Sequence, residues 1–246
     1  MGFEQRTNNM YQPWFKHKFL NPEKRNCLVE LEYVFNVEHM PAGDLFLCLE
    51  QPYNHKIYIN GILLEQLDSG YFADKSIRKL KMDNDLLKQG INIIGSSCTF
   101  NEETDLEAMY LLGDFGVILD GKMATMKKPI QKLELGDITT QGLPHYAGSI
   151  KYHMRTPITQ KSWPVKLCAD GFRGIALRLH EPGKDPKLMP FEPFETEINS
   201  PEFAIELVCS MGNAFGVQRP TEDGCPLELQ GLMKCPRLLI PSMKTL

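Results

Sequence analysis

Residues 29–37 place Val29, Leu31, Tyr33, Phe35 and Val37 at every second position, with Glu30, Glu32 and Asn36 between them. Successive side chains of a strand point to opposite faces, so this spacing predicts a strand with one buried and one wet face. A helix would need apolar spacings of three and four. The pattern recurs at Leu45, Leu47 and Leu49, and again at Ile57 and Ile59. That last pair runs into Asn60-Gly61, a dipeptide suited to the tight turn between hairpin strands. Further strands are expected at 76–82, 91–98 and 107–119, around Ile150 to Met154, Ile175 to Leu179 and Phe203 to Leu207. Helical signals are few. Segment 83–89 reads as one turn, with Asp83 capping its first amides and Gly90 ending it. Many short strands punctuated by 17 prolines and 19 glycines point to an all-β chain built from sandwiches.

The 246 residues, 42% of them hydrophobic, suffice for one large core or two small ones. The halves echo each other. "LLKQGINIIGSSC" (86–98) is similar to "INSPEFAIELVCS" (198–210), and "HKIYINGI" (55–62) to "GIALRLHEPG" (174–183). In each half a strand and turn precede a strand ending in small residues. The expected organisation is an N-terminal arm (1–26), a first sandwich (27–122), a linker (123–135) and a second sandwich (136–246). The arm holds Tyr11, Trp14, Phe15 and Phe19, an aromatic density expected of a segment docked on the body.

Charge and cysteine usage exclude several classes. With 27 Lys+Arg against 31 Asp+Glu, the net charge of −4 offers no basic excess for a nucleic-acid backbone. No apolar run approaches the roughly 18–20 residues of a membrane span, and the first ten residues lack an apolar leader core. The expectation is a cytoplasmic protein without nucleic-acid or membrane partners. Seven cysteines, Cys27, Cys48, Cys98, Cys168, Cys209, Cys225 and Cys235, are an odd number with no CxxC pair, so buried reduced thiols are expected rather than a disulfide framework or zinc knuckle. The six histidines form no HxH or HExxH pattern. No cofactor is expected. A structural calcium stays open, with Asp68, Asp74 and Asp83 as loop carboxylates. Nucleophile-elbow, P-loop and GxGxxG patterns are absent from the sequence.

Three stretches carry a family resemblance: "IYINGILLEQLDSGYFADKSIRKLKMDNDLLKQGINII" (57–94), "DLEAMYLLGDFGVIL" (105–119) and "LELGDITTQGLPHYAGSIKYHM" (133–154). Their order resembles the galactose-binding-like β-sandwich modules of large glycoside hydrolases, of the family-two sugar-binding type and their α-L-rhamnosidase-like relatives. The resemblance spans about residues 28–215, and the third stretch is its most specific part. It implies two tandem jelly-roll sandwiches with few short helices. It also implies a non-catalytic carbohydrate-binding or accessory module, because the catalytic carboxylates of such enzymes lie in a separate large domain. The second half departs from the pattern, with His180-Glu181-Pro182-Gly183 where an Asn-Gly turn is usual.

Sugar binding calls for an aromatic plate beneath the ring and polar groups for its hydroxyls. Candidate residues are Trp163, His145 and Tyr146 in "GLPHYAGS", Tyr71 beside Phe72, and Asp114, a charge inside the apolar run "LLGDFGV" that needs partners if buried. Each aromatic serves equally as a core plug. The acidic group Glu102, Glu103, Asp105 and Glu107 is either a solvated loop or the carboxyl pair of a small glycosidase. Asp137 and Thr139 can form an Asx turn. Two further readings stay open beside sugar binding: a scaffold that braces a catalytic domain or partner chain, and a small glycosidase.

Overall fold

The Asn60-Gly61 dipeptide forms the two-residue turn its sequence predicts, with φ of 51° at Asn60 and 85° at Gly61. Both angles lie in the left-handed region that a type I′ hairpin requires. In the computed structural model the described residues are 26–101, 104, 106–156, 164–215 and 227–239. They are mostly β, with one four-residue helix, Gly212–Phe215, and three short 3-10 turns. The chain divides into two compact units. The first ends at Gly116 and takes in Met123–Pro129; the second holds Val117–Lys122 and the chain from Ile130.

The strands of the first unit are β1 (Cys27–Val37), β2 (Leu45–Glu50), β3 (His55–Ile59), β4 (Ile62–Leu63), β5 (Asp68–Phe72), β6 (Asp74–Met82), β7 (Gly90–Phe100) and β8 (Tyr110–Leu112); β9 (Gly116–Asp120) and β10 (Met123–Lys127) follow. One sheet has β4, β3, β7, β1 and β10 as successive neighbours, and another runs β5-β6-β2-β8. Val37, Ile57, Ile59, Ile94 and Met126 of the first meet Leu45, Leu47, Leu49, Leu80 and Met82 of the second in one core. Each such side chain contributes about 1.5–3 kcal/mol on full burial.

The second unit has β11 (Ser149–Arg155), β12 (Val165–Cys168), β13 (Phe172–Arg173), β14 (Ala176–His180), β15 (Lys187–Met189), β16 (Glu195–Ile198), β17 (Glu202–Val208), β18 (Gly231–Leu232) and β19 (Arg237–Leu239). Its main sheets are β11-β17-β14-β15 and β16-β12-β19. Tyr152, Leu177, Leu179, Ile205 and Leu207 of one meet Val165, Leu167 and Ile198 of the other in a second core.

The two units share a strand plan. In the first, β7 lies antiparallel between β1 and β3, and β2 lies antiparallel between β6 and β8. In the second, β17 lies antiparallel between β11 and β14, and β12 lies antiparallel between β16 and β19. The echoing segments are therefore neighbours in each unit: β3 beside β7, and β14 beside β17.

Three local expectations need correction. The single strand expected over 107–119 is two, β8 and β9, because the chain bends at Gly113 and Asp114. Segment 123–135 is not wholly a linker. Its first five residues form β10, paired parallel with β1 from Phe35↔Ala124 to Val37↔Met126. The buried Met126 anchors this strand in the core despite the lysines beside it. The turn at 83–89 is the 3-10 element Asn84–Leu86, and the Asp83 side chain does not cap it.

Candidate functional site

Trp163, the acidic residues Glu102, Glu103 and Asp105, and the arm around Trp14 lie outside the described residues. The other candidates divide between the units: Tyr71 and Asp114 belong to the first, His145 and Tyr146 to the second. Tyr71 is 53% exposed on β5, opposite Arg78. Asp114 is exposed at the bend after β8, so its charge stays in water and needs no buried partner. Glu107 is exposed. His145 is exposed, and its Nδ1 donates to the Asn213 carbonyl at 2.8 Å. The half-buried Tyr146 ring packs on the second core, and its hydroxyl donates to the Ser149 carbonyl at 3.0 Å. Burial raises the Tyr146 phenol above its ordinary value, and Cys209 adds to this. Tyr146 therefore closes a turn.

Residues of the first and third stretches that carry the resemblance also hold the fold together. Asn60 Nδ2 donates to the Leu86 carbonyl and to Asn92 Oδ1, and its Oδ1 accepts from the Ile93 amide. Asn92 is wholly buried and makes three further bonds with Lys88 and Gly90. In "GDITTQG", Asp137 accepts from the Thr139 amide, the Thr139 hydroxyl and the distant Gln230 amide. Gln141 donates to the carbonyls of Glu134 and Asp137. Gly231 passes so close that a Cβ there would lie 2.0 Å from the Gly136 oxygen. These residues clasp loops to the sheets.

Two of the three calcium candidates, Asp68 and Asp74, are engaged within the protein. Asp68 accepts from the Gly70 amide and holds Arg78 through both oxygens. Asp74 accepts from the amide and hydroxyl of Ser76. Among the described residues, no group of three or more His, Cys, Asp or Glu is arranged to hold a metal ion. Among the described residues, no helix is long and apolar enough to cross a membrane. A Ser–His contact, the signature of an activated nucleophile when open to substrate, occurs at Ser96 Oγ and His55 Nδ1, 2.9 Å apart. Both residues are buried, and burial lowers the His55 pKa, so this pair is a core contact.

An open cup of about 490 Å³ lies in the second unit, lined by Cys168, Asp170, Glu192, Pro193, Phe194, Glu195 and Arg237. That volume is of ligand size. Strand parity builds it. Val165 and Leu167 of β12 face the core, so Lys166 and Cys168 lie on the opposite face, where Lys166 is exposed and Cys168 is buried at the base of the cup. The register sets Glu195 of β16 and Arg237 of β19 on either side of Cys168. Cys168 Sγ donates to Glu195 Oε1 at 3.4 Å, Lys166 pairs with the other Glu195 oxygen, and Arg237 pairs with Asp170 at 2.7 Å. Phe194 forms one wall, held edge-on against Phe172 with ring centroids 4.7 Å apart.

Electrostatics fix what the cup can do. Burial, with help from Glu195, raises the Cys168 pKa, so the thiol stays protonated and unreactive at neutral pH. Hydrogen bonds from Lys166 and Cys168 hold the Glu195 carboxyl below its ordinary value. The shift of Glu206 is also downward: burial alone would raise it, but hydrogen bonds from His180 and Ser149 and the Arg178 charge outweigh that. A glycosidase acid needs the opposite shift. The cup offers carboxylate acceptors, one guanidinium and an aromatic ring, a set suited to holding hydroxyl groups. The sequence reading missed it because its residues come from three short strands and the loops beside two of them, far apart in the chain. No protein-family model matches the chain, and no curated protein matches it.

Proposed function

We propose that this chain is a non-catalytic carbohydrate-binding or accessory module, built as two galactose-binding-like jelly-roll sandwiches in tandem, with a neutral sugar held in the Cys168 cup. The shared six-strand plan of the two units supports the tandem architecture. The cup is the single observation that carries the binding reading. Glu192, Glu195 and Asp170 accept from sugar hydroxyls, Arg237 donates, and Pro193 with Phe194 covers the apolar C–H surface of the ring. The carboxylates outnumber the guanidinium, which favours a neutral ring over a uronic acid. The downward shift of Glu195 keeps it an ionised acceptor for sugar hydroxyls, and the raised Cys168 thiol gives no nucleophile.

Isothermal titration against galactose, rhamnose and plant oligosaccharides tests the proposal. The expected result is millimolar or tighter binding of at least one sugar, weakened about tenfold by Glu195→Gln or Arg237→Ala through loss of a charge-assisted hydrogen bond. No heat with any sugar, or binding indifferent to both substitutions, overturns it.

A further inference from the structure

In the first unit the face of β3-β7-β1 turned away from the core carries an unusual pattern. Val34, Ile91 and Ile93 are 44%, 49% and 36% exposed, and Val34 and Ile93 are register partners. Beside them two rows cross the sheet. Glu30, Ser97 and Lys56 form one, and Glu32, Gly95 and Tyr58 the next. Acidic residues thus lie on β1, small residues on the central β7, and the basic and phenolic groups on β3. Among the described residues, no ion pair engages Glu30, Glu32 or Lys56. A whole strand separates the acids from the lysine, and the two signs are not paired across it.

The corresponding face of the second unit shows the alternative. There Arg178 and His180 of β14 reach Glu206 of the central β17 at 2.8 and 2.6 Å, and Arg155 of β11 lies 3.7 Å from Glu202. Charges on adjacent strands pair, and the face is complete in water.

We propose that the β3-β7-β1 face of the first unit is a self-complementary surface that binds the same face of a second copy of this chain. A two-fold axis laid along β7, in the plane between two stacked faces, carries each β1 over the partner's β3 without shifting the rows. Glu30 then stands over Lys56, and Glu32 over the Tyr58 hydroxyl. Ile93 meets its own copy on the axis, and Gly95 and Ser97 let the sheets approach. Stacked sheets normally cross at about −30°. Tilting the axis by about 15° achieves this and displaces the outer strands, about 4.8 Å from β7, by only about 2.5 Å. That lies within the reach of Glu and Lys side chains. Three strands over about eight residues give a face of about 14 by 26 Å, and two copies bury on the order of 1,000 Å². This is the lower limit for a specific interface, so the dimer is expected to be weak and reversible, dissociating in the micromolar range. This surface goes beyond sugar binding and does not depend on it.

Sedimentation velocity of the full chain from about 1 to about 200 µM tests the proposal across the expected dissociation constant. The wild type should move from monomer to twice the monomer mass. Ile93→Lys, which sets like charges against each other on the axis, should keep the chain monomeric with an unchanged circular dichroism spectrum. Glu30→Lys and Lys56→Glu should each weaken the dimer about fivefold or more, and their combination should bring it back to within about twofold of wild type. Because both charged positions are exposed, the exchange pair decides the matter even if Ile93→Lys fails to fold. A monomer at every concentration overturns the proposal. So does a dimer indifferent to Ile93→Lys, or a combined charge reversal as weak as the single ones.

Discussion

Replacing Asn92 by Asp exchanges one NH₂ group for an oxygen in a site where every atom has a partner. Asn92 is 0% exposed. Its Oδ1 accepts from Asn60 Nδ2 at 2.8 Å and the Lys88 amide at 2.9 Å, and a carboxyl preserves both bonds. Its Nδ2 donates to the Lys88 carbonyl at 2.6 Å and the Gly90 carbonyl at 2.9 Å. An ionised carboxylate there faces two carbonyl oxygens and supplies no proton. Each of the two lost bonds leaves its carbonyl unsatisfied at a cost of about 1–2 kcal/mol, so Asn92→Asp should destabilise the first unit by about 2–4 kcal/mol at pH 7. The pH dependence has a definite sign. Burial and the facing carbonyls raise the folded pKa of the introduced carboxyl above its unfolded value of about 4. Stability is then fullest below about pH 4, where the protonated carboxyl donates one of the lost bonds, and falls as pH rises through the folded pKa. Urea unfolding of wild type and variant at pH 4.5 and 7 should show the gap narrowing by about 1.5 kcal/mol or more at the lower pH. A gap below about 1 kcal/mol at pH 7, or one that does not change with pH, refutes the role given to Asn92.

The buried His55 has a folded pKa below that of the unfolded chain. Stability should therefore fall as pH drops from about 6.5, where the unfolded histidine takes a proton first, and His55→Gln should flatten that slope in urea titrations. Gly231→Ala places a Cβ 2.0 Å from the Gly136 oxygen at φ of 139°, so it should cost about 3 kcal/mol or more and lower the melting temperature, whereas Gly183→Ala, which meets nothing within 4 Å, should cost about 1 kcal/mol. Burial pushes the thiols of Cys48 and Cys209 up to about 11, so intact-mass readout of native DTNB labelling should find the exposed Cys235 modified well before Cys48, Cys168 or Cys209; equal rates would contradict their burial.

Alternation was enough to locate the long strands, because β7 and β11 turn every second side chain inward and the first half of β1 alternates half-buried with exposed residues. The Asn-Gly turn was equally legible, since few other dipeptides accept two left-handed residues. Short elements carried too little period to read. β12, β16 and β19 have three or four residues each, and β10 hides a single buried methionine among lysines. The cup was illegible for the same reason. Cys168, Glu195 and Arg237 are 237 − 168 = 69 positions apart end to end, and only the register sets them in one row. A signal did exist: in Val165-Lys166-Leu167-Cys168, parity puts the cysteine on the lysine's face rather than the core face, an odd place for a thiol. Tyr146 and Asp137 were conspicuous because turns and clasps concentrate Gly, Pro, Asp and Tyr, the same residue types a sugar loop uses. The wet face of β1 was visible in Glu30 and Glu32, but its relation to Lys56 required two registers at once.

Sugar binding at the cup is tested most directly by an amide NMR titration of the isotope-labelled chain with the sugar that gives the strongest heat. The predicted shift changes centre on Cys168, Ala169, Asp170, Phe194, Glu195 and Arg237, and disappear in Arg237→Ala. Changes centred on Tyr71, on His145 and Tyr146, or nowhere at saturating sugar would contradict the account.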